Sequence, residues 1–482
     1  MQGLCEATLD RLPQRVGRPL YDRQGMQPGI VHIGPGAFHR VHQAWYAQRW
    51  LEHDPRWGIV AVSLRSAALR DALHDQDWLY TLAVLDARES FEVIGSLRDV
   101  MVAEQVPDTA ARTIAGPATR LVTLTVTEKG YCLDGEGRLD LQHPDVAHDL
   151  ANPGAPRSAV GFVVEGLRRR RGLGMPPVPI LSCDNLPDNG RLLAAAARDF
   201  AAARDPGLAA WIETEVPFPC SMVDSITPAT TLELQRRVTA ETGLEDRWPV
   251  QRESFVQWVV EEHRALEGPD WERGGVTLTN DVSGYERAKL RLLNGAHSTL
   301  AYLGILRGHE TVGEAMRDEA LRGFVRDLMV ADILPTLKPV RGLDVMSYVE
   351  AVLQRFANPA IRHELAQIAW DGSKKLPVRI LGSVRDALAA GASVDRPCTT
   401  VAAWMHFVRR RTASGIALVD PLAARLARLA REATTGASDV DVAAFLELRE
   451  VFPLELARQE RFREALERAY ARLAASPMAL LT

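Results

Sequence analysis

Gly29-Ile30-Val31-His32-Ile33-Gly34-Pro35-Gly36-Ala37-Phe38-His39 is the stretch that decides the fold. A short apolar run ends in glycine, and Phe38, Val41, Trp45 and Trp50 follow in a helical pattern. Strand, glycine turn and helix in that order match the opening of a dinucleotide-binding unit. Gly34 permits the tight turn, and Gly36 lets a pyrophosphate approach the backbone at the helix N-terminus. Ala37 and Phe38 complete the candidate cofactor contacts. His39 stands where a third glycine is usual.

Outward from this turn, residues 59–64, 80–85, 121–127 and 178–182 read as strands. Residues 104–114, 158–171 and 190–203 read as helices among them. Strands alternating with helices predict an α/β domain whose mostly parallel, doubly wound sheet is covered on both faces. From about residue 285 the texture becomes Leu/Ala/Arg-rich with apolar spacings of three and four, as in residues 422–431. That half is expected to be mostly helical, divided into separate helices by Pro335, Pro339, Pro359, Pro397 and Pro453. The predicted domains are 1–281 and 282–482, as expected of a chain too long for one core.

At the end of the second strand an NAD site usually offers a carboxylate to the ribose hydroxyls. Here the chain reads Ser63-Leu64-Arg65-Ser66. Arg65 could accept a 2′-phosphate, which keeps NADP open beside NAD; it also reads as an arginine that stacks on adenine or faces solvent.

A net charge of −5 gives no general attraction to polyphosphate, so no nucleic-acid partner is expected. The densest basic run, Arg168 to Arg171, reads as the solvated C-terminal end of a helix. Five cysteines without a CxxC pair suit reduced thiols in a cytoplasm and imply no zinc cage. No leader pattern or membrane-length apolar run is present, so a cytoplasmic protein without membrane attachment is expected.

The chain has five lysines among 57 basic residues. An ammonium can be brought to give up its proton near neutrality, whereas guanidinium stays charged. Lys289, in Lys289-Leu-Arg-Leu-Leu-Asn294-Gly-Ala-His297-Ser298, is therefore a candidate proton carrier. If hydride moves between nicotinamide and a carbinol carbon, a base must take the alcohol proton. On an α-helix Asn294 and His297 share a face, with Lys289 offset by about 80° from His297. Asn294 would meet the developing alkoxide and His297 a neighbouring hydroxyl. The same residues also read as a buried Asn–His contact and a solvated lysine arm. Tyr285 and Lys289 imitate the Tyr-x-x-x-Lys pair of short-chain dehydrogenases, but their place at the start of a large helical half makes Tyr285 a packing residue.

His32-Ile-Gly-Pro-Gly-Ala-Phe-His-Arg40, Thr125-Val-Thr-Glu-Lys-Gly-Tyr131, Ser182-Cys-Asp-Asn185, Phe218-Pro-Cys-Ser-Met-Val-Asp224 and the Lys289/Asn294/His297 set together resemble the polyol-specific long-chain dehydrogenases. That group includes mannitol 2-dehydrogenase and fructuronate reductase (D-mannonate oxidoreductase). The resemblance spans about residues 28 to 385. It implies a zinc-independent enzyme with a Rossmann-type N-terminal domain, a helical C-terminal domain and the substrate between them. It makes Lys289 the general base, Asn294 and Asn185 the grip on the reacting oxygen and His297 the orienting residue. Asp224 becomes the carboxylate near the lysine, and Glu286 a proton outlet. Asp224 also reads as an ordinary ion-pair partner. In Asp371-Gly-Ser-Lys374-Lys375-Leu-Pro-Val-Arg379 the family's substrate lysine matches Lys375, with Arg379 a further substrate contact. Lys374 stands where glutamine is common and Ser225 where arginine is usual. The implied activity is NAD-dependent interconversion of a polyol (mannitol/fructose) or a hydroxy sugar acid (mannonate/fructuronate) with its 2-keto form, by a monomer or small homo-oligomer. The rival readings are a non-catalytic nucleotide-binding sensor and a zinc alcohol dehydrogenase.

Overall fold

The structure is a computed structural model, and it describes residues 2–263, 266, 268–432 and 436–475. The chain divides into two compact units, Met1–Ser283 and Gly284–Thr482.

The first unit carries eleven described strands: β1 (Ile30–Ile33), β2 (Ile59–Ser63), β3 (Tyr80–Leu85), β4 (Ser90–Ile94), β5 (Leu97–Val102), β6 (Leu121–Leu124), β7 (Ile180–Ser182), β8 (Ser221–Asp224), β9 (Val250–Glu253), β10 (Gln257–Glu261) and β11 (Thr277–Thr279). Five of them form an all-parallel sheet in the order β5-β2-β1-β6-β7. Counted along the chain these are strands 3-2-1-4-5, the Rossmann order, and the direction of winding reverses between β1 and β6. Alternate residues of β1 enter different layers. Val31 and Ile33 join a core with the helices Pro107–Ala115, Ala159–Gly172 and Asn189–Ala202, and Ile30 joins one built around Trp50, Trp57, Trp258 and Trp271.

The run at 80–85 is a strand, but it stands outside the parallel sheet. It pairs antiparallel with β4 and parallel with β9 in a second sheet, because a short connection to β4 makes a hairpin instead of a helical crossover. A third sheet orders β11-β10-β8. Several of these strands escape a reading by apolar runs. β9 has the sequence Val-Gln-Arg-Glu and is buried throughout, with the Arg252 guanidinium 4.7 Å from the Trp45 ring centre and donating to Glu253 O. The basic run at 168–171 is only partly solvated. Arg168 and Arg169 bond Glu165, whereas Arg170 is buried and donates to Gly116 O and Pro176 O, tying the helix end to two loops.

Every regular element described in the second unit is a helix, and in the connections between helices an isolated bridge pairs Thr311 with Glu364. Pro397 sits in the first turn of the helix Asp395–Ala413, Pro453 caps Leu454–Ala457, and Pro339 and Pro359 lie between helices. Three π turns occur among the described residues of this unit; one, Leu328–Ile333, follows the helix Glu319–Asp327, and the other two interrupt longer helices. Val282–Ala288 continues through a π-helical turn, Lys289–Asn294, into Gly295–Arg307. Gly372–Leu376 continues through a second, Pro377–Leu381, into Gly382–Ala389. Pro377 has no amide hydrogen to give the helical ladder, a natural place for such a turn.

Candidate active site

In the first unit the glycine turn follows β1 as its sequence demands. Gly34 has φ 89°, and a Cβ there would lie 2.3 Å from Thr125 O, so both conformation and space require glycine. At Gly36 an added Cβ would meet nothing nearer than Gly34 O at 4.0 Å, and no side chain caps the helix that begins at Ala37. The turn is open where a dinucleotide's pyrophosphate would come, and these residues fit such a group.

His39, in the third-glycine position, lies flat on His32 with ring centres 3.4 Å apart. This stacking brings helix and strand together where glycine would have done so by being small. His32 is fixed by Thr123 Oγ1 at 2.8 Å and Thr125 Oγ1 at 2.9 Å. Thr125 Oγ1 donates to Gly34 O at 2.7 Å, so His32 Nε2–H donates to Thr125 and Nδ1 accepts from Thr123. Burial lowers the His32 pKa to about 3 and that of His39 well below the ordinary value, so both rings are neutral. Phe38 stacks on His42 at 4.9 Å.

Arg65 is exposed at the end of β2 and paired with Asp145. Ser63 Oγ donates to Ser66 O at 2.6 Å, closing the turn beside it. Asn185 is exposed beyond the end of β7. Asp224 is buried at the end of β8, and its neighbour Ser225 donates to Phe255 O at 3.0 Å. That bond anchors the strand end at the position where the family pattern has an arginine.

In the second unit, the arithmetic of a regular α-helix does not survive. The Gly295 amide donates to Leu290 O, five residues back, so the turn holding Lys289 and Asn294 is wider than an α-turn and the 80° offset does not apply. Lys289 and His297 are buried, Asn294 and Glu286 half-buried. Gly295 has a packing role: an added Cβ would lie 3.1 Å from Arg379 O, in the second π turn. The two π turns pack against each other, which brings the tract at 371–379 to the Lys289 segment.

Across this contact Arg379 Nη1 donates to Ser298 Oγ at 3.2 Å and approaches Asn294 O at 3.5 Å. Lys375 is half-buried and donates from Nζ to Ile368 O at 3.2 Å, whereas Lys374 is exposed. The His297 ring lies 4.3 Å from Phe356 and 5.1 Å from His363, centre to centre. Its Nε2 is buried without a hydrogen-bond partner among the described residues. Burial, then His363, Arg355, Arg379 and Lys375, hold its pKa well below the usual histidine value. A neutral imidazole with one uncommitted nitrogen can take a hydrogen bond from a ligand.

Asn294, His297, Lys375 and Arg379 are thus gathered in the second unit, and Gly34, Gly36, Ala37 and Phe38 in the first. Arg65 is engaged with Asp145. The sequence reading missed Ser298, Arg355, Phe356 and His363. Ser298 was signalled by its place after His297, but the other three reach the site only through the packing of Val345–Ala357 and the loop after it. Among the described residues no group of three or more His, Cys, Asp or Glu is arranged to hold a metal ion.

Residues 28–273 match the mannitol dehydrogenase Rossmann domain, and residues 281–474 the mannitol dehydrogenase C-terminal domain. The chain is 41% identical to the D-mannonate oxidoreductase of Escherichia coli (strain K12), over 95% of this chain and 96% of that protein. Its structure is similar to that of D-sorbitol dehydrogenase in substrate-free form, with TM-score 0.90, 33% identity and 98% of each chain covered. It is also similar to the Pseudomonas fluorescens mannitol 2-dehydrogenase in its ternary complex with NAD and D-mannitol, with TM-score 0.81, 36% identity, and 98% of this chain and 97% of that one covered. With both of its halves matched in order and nearly its whole length shared with these proteins, the chain belongs to the mannitol dehydrogenase family.

Proposed function

We propose that this protein is an NAD-dependent dehydrogenase that interconverts a hydroxy sugar acid of the mannonate type with its 2-keto form. The observation that carries the choice of an acid is the half-buried Arg379 guanidinium held against Ser298 and Asn294 in the His297 segment, where Arg355, Arg379 and Lys375 also add positive charge that lowers the His297 pKa. Such positive charge suits a carboxylate, which a guanidinium can grip with two parallel bonds. The similarity to a D-mannonate oxidoreductase supports the same choice. A neutral polyol is the second reading, favoured by the likeness to a mannitol 2-dehydrogenase seen with D-mannitol.

When bound at the Gly34–Gly36 turn, the nicotinamide dinucleotide supplies the hydride acceptor or donor. The chain's own groups handle the proton and the charge. We assign Lys289 the proton of the reacting hydroxyl, taken up in oxidation and returned in reduction. Two amides and an ammonium suit an oxygen gaining negative charge, so we assign the Asn294 and Asn185 carboxamides as donors to it. His297 Nε2 accepts from a neighbouring hydroxyl and orients the sugar chain. Asp224 is assigned to charge balance at the lysine and Glu286 to passing the proton outward. Lys375 and Arg379 are assigned to the carboxylate end, and Arg65 to the 2′-phosphate where NADP is the dinucleotide taken. The family match supports domains divided near residue 281. No described helix is long and apolar enough to cross a membrane. Free cysteines among the described residues support action in a reducing cytoplasm, and the proposed form is a monomer or small homo-oligomer.

The test is a comparison of kcat/KM for fructuronate against fructose with NADH, and for mannonate against mannitol with NAD. The acids are expected to be preferred by roughly tenfold or more, the worth of one charge-assisted contact. A preference for the neutral pair overturns the sugar-acid reading in favour of the polyol.

A further inference from the structure

In the first unit, a strained loop beside the glycine turn is held by a carboxylate that the roles above leave unused. The chain leaves β6 as Thr125-Val126-Thr127 and enters a short 3₁₀ turn, Glu128–Tyr131. Because the sheet's winding reverses between β1 and β6, the residues after these two strands flank the crevice in which a dinucleotide lies. Thr125 touches the glycine turn directly, through its bond to Gly34 O. Thr127 has φ 64° and ψ 165°, a region that is essentially glycine's own. A β-branched residue stays there only when its surroundings impose it. Its side chain is exposed and does not impose it.

Asp184 does. Its Oδ1 accepts from the Thr127 amide at 2.8 Å, and its Oδ2 from the Val126 amide at 3.2 Å and the Tyr131 hydroxyl at 2.9 Å. The carboxylate is buried just beyond β7, and its own backbone is braced. Asn189 Nδ2 donates to Asp184 O at 3.0 Å and to Ser221 O at 2.8 Å, and Asn189 Oδ1 accepts from the Ser221 amide at 3.0 Å. The anchor therefore runs from the β7–β8 junction, through one carboxylate, to a loop that cannot relax, and ends at the wall facing Gly34.

We propose that Asp184 is a positioning residue for dinucleotide binding, holding residues 125–131 in a strained conformation as the wall of the crevice opposite the Gly34–Gly36 turn. The inference rests on the dinucleotide reading of that turn. Asn keeps the shape of Asp184 but sets an NH₂ group where one carboxylate oxygen accepted, so Asp184→Asn weakens the hold while leaving the volume unchanged.

The experiment titrates the ligand-free enzyme with NADH, followed by fluorescence, for wild type, Asp184→Asn, Thr127→Gly and the double variant, with thermal midpoints and the split between kcat and cofactor KM. Asp184→Asn is expected to raise the NADH dissociation constant roughly tenfold or more, the worth of a charge-assisted bond, with kcat at saturating cofactor little changed. Glycine adopts the Thr127 conformation without a clamp. The double variant should therefore recover binding to within about threefold of wild type, a non-additivity expected of coupled residues. Thr127→Gly alone should raise the thermal midpoint, a readout available even if Asp184→Asn does not fold. Unchanged NADH binding in Asp184→Asn, a loss that Thr127→Gly does not rescue, or a midpoint lowered or unmoved by Thr127→Gly would each overturn the proposal. Wild-type enzyme that binds neither NADH nor NADPH would instead overturn the dinucleotide reading itself.

Discussion

Arg379 and Ser298 join two locally unwound helices: the guanidinium on the π turn Pro377–Leu381 donates at 3.2 Å to the hydroxyl that follows His297 in the helix Gly295–Arg307. Burial lowers the Arg379 pKa, yet a guanidinium stays charged, so this bond orients a cation that has lost much of its water. Replacing Arg379 with Gln keeps a donor but removes the charge. Steady-state kinetics should show kcat/KM falling by roughly 10- to 100-fold for a sugar acid and much less for a neutral polyol. Equal losses on both substrates would contradict the carboxylate assignment.

Lys289→Ala removes the assigned proton carrier. Turnover should fall by about 10²- to 10⁴-fold. NADH binding, measured by fluorescence titration, should stay near that of wild type, because the glycine turn lies in a different unit. Retained turnover would overturn the assignment of Lys289, whereas a wild-type protein that binds NADH but turns over neither acid nor polyol would revive the non-catalytic reading.

Gly34→Ala should be among the most damaging single changes in the first unit. It sets a Cβ at 2.3 Å from Thr125 O and forces alanine to φ 89°. Backbone strain and overpacking together suggest a loss of about 3 kcal/mol in denaturant unfolding, with dinucleotide binding lost alongside. Gly36→Ala meets open space and should cost little stability while weakening the cofactor.

Acid should destabilise the fold through its buried histidines. The pKa of His32 is lowered to about 3 and those of His39 and His297 well below 6.5, so in the folded state all three stay neutral. The unfolded chain binds protons on them as pH falls through about 6.5, so the stability their neutral forms allow is complete above that pH and declines below it. Three such groups imply a loss of about 4 kcal/mol per pH unit once pH is well below 6.5. Urea midpoints measured from pH 7.5 to 5 should fall accordingly; a flat profile would mean that these rings take up protons without unfolding.

Arg65 gives a cofactor test. Its exposed ion pair with Asp145 is worth about 0–1 kcal/mol, so Arg65→Ala should leave thermal stability and the KM for NADH nearly unchanged. If NADPH is used at all, its KM alone should rise, because only the 2′-phosphate calls for a guanidinium there.

Much of this protein is written locally. The β1 turn, the strands β2, β3, β6 and β7 and the helices at 159–172 and 189–202 follow from apolar runs, glycine and helical spacing, each a property of a few neighbouring residues. The Lys289/Asn294/His297 set stands out in the sequence as a candidate, because lysine is scarce and carries chemistry arginine cannot. What spacing could not convey was the local backbone. The five-back bond at Gly295 changes the angles between those side chains, and its partner turn begins at a proline 82 residues further on.

The sequence by itself determined four strands of the parallel sheet, β1, β2, β6 and β7, the glycine turn, and which residues are candidates to hold a dinucleotide and move a proton, since these depend on short-range pattern and on side-chain chemistry. Only the tertiary structure decided that Tyr80–Leu85 belongs to a second sheet, that Arg379 reaches Ser298, that His39 stacks in place of a glycine and that Asp184 clamps Thr127. Each of these joins residues distant along the chain or fixes a backbone angle from outside, and no local pattern records which remote group will be there to do it.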